Sequence, residues 1–110
     1  MANQSWMDCI KACDACATEC ESCATSCLGE AEVKRLSQCI ALDRDCADVC
    51  RLASALMSRG SPFAKQLCML CATVCEACAA ECEKHSAMDH CRICAEVCRR
   101  CAAECRRMAA

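Results

Sequence analysis

The chain's chemistry lies in its thiols. Nineteen of 110 residues are cysteine, and eighteen of them step by three and four within their segments. Cys9, Cys13, Cys16, Cys20, Cys23 and Cys27 form one run. Cys68, Cys71, Cys75, Cys78 and Cys82 form a second, and Cys91, Cys94, Cys98, Cys101 and Cys105 a third. Cys46 and Cys50 make a shorter run, with Cys39 seven residues before Cys46. On an α-helix this spacing places every thiol of a run on one stripe, where a buried helix ordinarily carries leucine. Eight Cys-x-x-x-Cys pairs result: 9/13, 16/20, 23/27, 46/50, 71/75, 78/82, 94/98 and 101/105.

Soft thiolates select Cu(I), zinc and iron–sulfur clusters. Cu(I) accepts two or three sulfurs, so one Cys-x-x-x-Cys pair on one helix can clasp it. Zinc wants a tetrahedron of four, which needs two helices in register. Iron–sulfur clusters usually draw cysteines from loops of recognisable spacing, and the links here carry none. The interleaved Cys-x-x-Cys steps lack the hairpin of a zinc ribbon and the βαβ context of a thioredoxin-like site. Cysteine as a plain core filler does not account for nineteen in register, since alanine or leucine packs as well without the redox liability.

Charge limits how such a core can be loaded. Buried thiols are expected to stay protonated in the metal-free chain and to release protons on binding. One Cu(I) on two unshared thiolates leaves a buried negative charge. One Cu(I) per thiolate, with bridging sulfurs, leaves none. Electroneutrality therefore predicts multiple Cu(I) ions, approaching one per cysteine.

Four helices must position these residues, at about 5–28, 30–58, 62–85 and 89–107. Gly29 reads as a C′ residue, Arg59-Gly60 as a break, Ser61-Pro62 as N-cap and N1, and Asp89 as an N-cap. Short links between long helices predict an all-α, antiparallel, up-down-up-down four-helix bundle with a cysteine-lined core, filling residues 1–110 as a single domain. The second helix carries Leu36, Cys39, Asp43, Cys46, Cys50, Ala53 and Met57 in its inward lane. Asp43 is the unexpected member. It is either hydrogen-bonded to neighbouring polar groups and thiols, or a hard ligand or proton acceptor beside them. Leu42, Val49 and Leu56, with Leu67, Leu70, Val74 and Ala77, flank the lanes and suit packing within the bundle or, alternatively, an oligomer interface.

One end of such a bundle gathers Cys27, His85, Met88 and His90. These are candidate metal-entrance residues, with exchangeable imidazole and thioether donors; a Cys82/His85/His90/Cys94 zinc site is the competing arrangement. The other end gathers Trp6, Met7, Met57, Phe63 and Met108 as an apolar plug. Glu96 and Arg100 are spaced for an i,i+4 ion pair.

Several classes are excluded or disfavoured. No catalytic constellation is recognisable, so an enzyme is not expected. The net charge of −2 implies no nucleic-acid partner. No apolar run approaches the roughly 20 residues of a membrane span. An odd cysteine count, an N-terminus without signal-peptide character, and i,i+4 thiols set too far apart to oxidise readily all argue for a reducing, cytoplasmic setting.

The four Cys-lined helices, the repeated Cys-x-x-x-Cys and the stretch Leu42-Asp43-Arg44-Asp45-Cys46-Ala47-Asp48-Val49-Cys50 resemble the bacterial copper storage proteins, in their cytosolic branch. The resemblance covers roughly Cys9 to Cys105. It implies Cu(I) held mainly by core thiolates, a homotetramer, and His85 and His90 as the positions matching histidines at the bundle mouth. The expected function is cytosolic Cu(I) storage, with a copper chaperone or copper enzyme as exchange partner. The alternatives are a zinc or general soft-metal buffer and, from another class, a thiol–disulfide oxidoreductase.

Overall fold

The computed structural model describes residues 4–110, with side chains from residue 6 onward. The stretch of residues 1–8, expected to lack signal-peptide character, lies partly outside the described residues. Alanine, glutamate, arginine and leucine, all good helix formers, fill long segments. The result is α1 (Gln4–Leu28), α2 (Ser37–Ser58), α3 (Ala64–Glu83) and α4 (Asp89–Ala109). No strand is present among the described residues.

Each helix packs on its sequence neighbours, and α1 packs on α4 to close the ring, while the diagonal pairs make no close backbone approach. The direction of travel is read from the thiols. Along α1 and α4, Cys9 meets Cys105, Cys16 meets Cys98 and Cys27 meets Cys91. Along α2 and α3, Cys39 meets Cys82, Cys46 meets Cys75 and Cys50 meets Cys71. One number rises as the other falls in both cases, so both pairs are antiparallel. The rod measures 46 × 17 × 17 Å. It is slender because the core is built from cysteine and alanine: Ala17, Ala47, Ala72, Ala79 and Ala102 are buried beside the thiol lanes.

The links differ from their sequence reading in ways that geometry explains. The second helix does not begin at residue 30. Neighbouring helix axes stand about 8–10 Å apart, and one glycine cannot cross that gap. Residues 29–36 make the crossing, ending in a 3-10 turn at Val33–Leu36 that buries Leu36 against the core. Gly29 does not take the left-handed conformation; Gly60 does, at φ 63°. At Gly60 the amide of Ser61 donates to Leu56 C=O at 2.9 Å and that of Gly60 to Met57 C=O at 3.1 Å, the paired bonds of a Schellman ending.

Ser61 is not the N-cap of α3, a place that Phe63 holds, although its Oγ accepts from Phe63 N–H at 3.1 Å in the turn before the helix. The Ser61–Ala64 turn is tight, however, so α3 proper starts at Ala64 rather than Pro62. The third helix stops at Glu83 rather than His85, because the amides of Lys84 and His85 switch to i→i−3 bonds with Glu81 and Cys82. Asp89 is not the N-cap of α4. Extended Met88 holds that place, its C=O accepting from Cys91 and Arg92. Asp89 instead sits in the first turn, where its charge suits the helix dipole.

Ion pairs brace the outside. Arg99 reaches Glu83 with two donors at 3.0 and 2.8 Å, Arg106 reaches Glu76, and Arg51 reaches Glu21 at 2.9 Å. Glu96 pairs with Arg92 at 3.6 Å rather than with the expected Arg100. Leu42, Val49, Leu56, Leu67 and Val74 pack partly buried against the core, as intrabundle packing requires. Leu70 departs from that pattern at 51% exposure, alongside exposed Leu52, Phe63 and Met69.

Candidate metal centre

The helical period turns each run of cysteines inward, and the antiparallel ring brings four runs onto one axis. All nineteen cysteines are free and buried. Their sulfurs form a continuous column with neighbouring Sγ atoms 3.5–4.0 Å apart. Within one helix, Cys16 and Cys20 are 3.9 Å apart, as are Cys46 and Cys50 and Cys94 and Cys98, while Cys71 and Cys75 are 3.8 Å apart. Between helices, Cys16 lies 3.7 Å from Cys98 and 3.8 Å from Cys46, and Cys20 lies 3.6 Å from Cys98.

The column resolves into tetrads whose ligand atoms all lie within 4.8 Å of one another. Cys13, Cys71, Cys101 and Cys105 form one; Cys16, Cys46, Cys50 and Cys75 another. Cys16, Cys20, Cys46 and Cys98 form a third, and Cys20, Cys78, Cys94 and Cys98 a fourth. The tetrads overlap: Cys16, Cys20, Cys46 and Cys98 each belong to two of these. A sulfur shared by two sites is a bridging ligand in waiting.

Asp43 is fully buried in this column. Its Oδ1 accepts from the thiols of Cys78 at 3.1 Å, Cys94 at 3.4 Å and Cys82 at 3.7 Å. Its Oδ2 is buried without a partner. Burial, then the charges Cys94 and Cys78 would carry, push its pKa from 3.8 to about 10. Asp43 thus accepts hydrogen bonds from thiols while burial favours its neutral form. The same physics acts on thiols at the end of the column. Burial, then the charge Cys39 would carry, raises Cys91 to about 11, and burial drives Cys27 up as well.

The candidate entrance residues separate. His90 turns Nδ1 toward Cys91 at 3.5 Å, Cys23 at 3.6 Å and Cys27 at 3.8 Å. Its Nε2 lies 2.9 Å from Glu30 Oε2. If Nε2 carries the proton for that bond, the Nδ1 lone pair faces three sulfurs, the arrangement that orients a metal-binding imidazole. Cys23, Cys27, His90 and Cys91 form a mixed donor set accordingly. His85 goes elsewhere: with α3 ended at Glu83, it leaves the thiol lane, and its Nε2 pairs with Glu81 at 3.3 Å. Met88 packs partly buried against the core between them. His85 and Met88 line a cavity of about 290 Å³ beside the mouth, together with Glu30, Arg35, Leu36 and Lys84. Glu30 went unrecognised in the sequence. Sixty residues separate it from His90, and it belongs to no repeat.

At the opposite end Met57 is fully buried, Met108 nearly so, and Trp6 packs against the core. Phe63 and Met7 do not join that plug; they are 61% and 40% exposed.

Fold and site together define a helical protein with a soft-donor interior. The chain belongs to the copper storage protein family, whose model matches residues 2–110. The uncharacterized cysteine-rich protein YhjQ of Bacillus subtilis (strain 168) is 53% identical over 82 residues, which are 74% of this chain and 69% of that protein. The fold matches the Cu(I)-bound copper storage protein BsCsp3 with a TM-score of 0.92 and 51% identity, covering 97% of this chain and 100% of that one. A cytosolic copper storage protein from Streptomyces lividans, carrying five coppers, matches with a TM-score of 0.93 and 41% identity, covering 96% of this chain and 92% of that one.

The Asp43 carboxyl sets a sign for stability against pH in the metal-free protein. Below pH 3.8 it is neutral folded and unfolded. Above that, the unfolded chain loses the proton while the folded chain keeps it up to about 10, so stability falls as pH rises through this window. Asp43→Asn keeps an oxygen acceptor and removes the titration. In urea denaturation of reduced apo protein, the variant should gain on the parent between pH 5 and pH 8, by at most about 1.4 kcal/mol per pH unit. Parallel curves would show that Asp43 is ionised in the folded protein.

Proposed function

We propose that this chain stores Cu(I) as cargo, many ions per molecule, on the thiolates of the bundle core. The overlap of the tetrads carries this reading. Sulfur spacing alone suits zinc too, since Zn–S bonds of about 2.3 Å make tetrahedral edges near 3.8 Å. Zinc, however, uses four thiolates per ion, so at most four ions fit on nineteen thiols without sharing. Each such unshared site keeps a net double negative charge in a low-dielectric core. Cu(I) takes fewer sulfurs and lets each bridge, so a continuous column can load without accumulating charge. The family membership points the same way.

Burial of every thiol opposes the oxidoreductase reading, which needs an accessible low-pKa cysteine. The role is therefore binding rather than catalytic, in the cytosol as for the Streptomyces lividans relative, where reducing conditions keep thiols free. The nineteen cysteines act as ligands, and the chain acts as one domain. His90, with Met88 and His85 at the adjoining cavity, forms the entrance through which a copper chaperone or copper enzyme exchanges ions. The exposed apolar residues Leu52, Phe63, Met69 and Leu70 suit a homo-oligomer, a tetramer by family resemblance.

Anaerobic titration of reduced apo protein against a chromophoric Cu(I) chelator, repeated with Zn(II), tests the function. Uptake of more than about ten Cu(I) per chain, approaching one per cysteine, with sparse and weak zinc, is the expected result. Saturation near eight Cu(I) would refute bridging but leave storage standing. About four zinc ions, with copper bound no better than by the chelator, would make the protein a zinc buffer. Stopped-flow uptake tests the entrance: His90→Ala should slow loading several-fold with capacity nearly unchanged, and His85→Ala should have a smaller effect. Unaltered rates in both would remove the entrance from the histidine end.

A further inference from the structure

The cysteine lattice of α2 stops early. After Cys46 and Cys50 the next inward positions are Ala53 and Met57. The other three helices still offer sulfur at this level, through Cys9, Cys68 and Cys105. Cys9 and Cys105 lie 3.8 Å apart, and Cys68 interacts with both. Cys105 lies 3.7 Å from Cys13, which ties this level to the rest of the column. Beside Cys68, Met57 is fully buried, and its Sδ accepts a hydrogen bond from the Cys68 thiol at 3.6 Å. The sulfur column therefore does not end at Cys50 on the α2 side; a thioether continues it.

We propose that Met57 Sδ is a Cu(I) ligand, joining one or two of the thiolates of Cys68, Cys9 and Cys105 at the end opposite the histidines. The proposal rests on the copper-storage reading above. Its chemistry is specific. A thioether is a soft donor suited to Cu(I) and poorly suited to zinc. It is also neutral. At the last level of the column, where ions have neighbours on one side only, it adds a bond without adding charge, and no proton leaves when it binds. A residue serving only to fill this space would need no sulfur, and leucine, of similar volume, would serve.

The test uses the full chain with its six methionines replaced by selenomethionine, reduced, and loaded anaerobically to saturation with Cu(I). Selenium-edge X-ray absorption should show a Se–Cu path at bonding distance, borne by about one selenium in six. Met57→Leu, a near-isosteric change, should abolish that path in protein that also carries Met88→Leu, which removes the entrance thioether. Met88→Leu and Met108→Leu should keep it. A fully loaded protein without a Se–Cu path, or a path that survives in the protein carrying both Met57→Leu and Met88→Leu, overturns the assignment of Met57 alone. Copper content is measured on the same samples: if no copper is retained, the storage reading fails and this site fails with it. Should Met57→Leu not fold, the presence or absence of the Se–Cu path in the labelled parent protein still supports or overturns the assignment.

Discussion

The structure depends on one constraint, the cost of charge in a low-dielectric interior. Nineteen sulfurs share a rod 17 Å across, and as thiolates without cations they would repel one another beyond anything packing could offset. As thiols they are small, weakly polar and compatible with a helical core. The metal-free bundle is thus a conventional hydrophobic interior made of unconventional residues. Asp43 obeys the same rule, holding its proton and accepting from Cys78, Cys82 and Cys94. Each incoming cation must be matched by a departing proton.

That constraint shapes the helices. A core of cysteine and alanine buries little apolar surface per residue, and hydrophobic burial is the main stabilising contribution in folding. The bundle compensates with length and regularity: long helices of good helix formers, a Schellman ending at Gly60, and arginine–glutamate braces across the outer grooves. The braces are exposed, so solvent screens them and each contributes little. Ligands that bind only the folded state stabilise it further by mass action, so cargo and scaffold are thermodynamically one system.

The architecture was readable because the thiol lattice is itself a helical period: it names the helices and their inward faces at once. The links were harder. Nothing near residue 30 announces that the chain must travel to Ser37 before a second helix can begin, because the inter-helix gap is a tertiary distance. His85 sits in register with Cys82, yet α3 ends first, so it leaves the thiol lane and pairs with Glu81. Glu30 against His90 and Met57 against Cys68 bring together residues with no spacing rule to join them. Asp43 stood out as polar in an apolar lane, but the burial that raises its pKa and the three thiols that converge on one of its oxygens are set by the tertiary packing.

Electroneutral loading ties these features of the molecule together, and counting protons tests it most directly. Cu(I) delivered to reduced apo protein in buffers of differing ionisation enthalpy gives, by calorimetry, the protons released per ion. A neutral thiol core filling with bridged thiolates predicts about one proton per Cu(I) across the whole titration. A value near two would mean that each ion sits on its own dithiolate and leaves buried charge behind, contradicting the account.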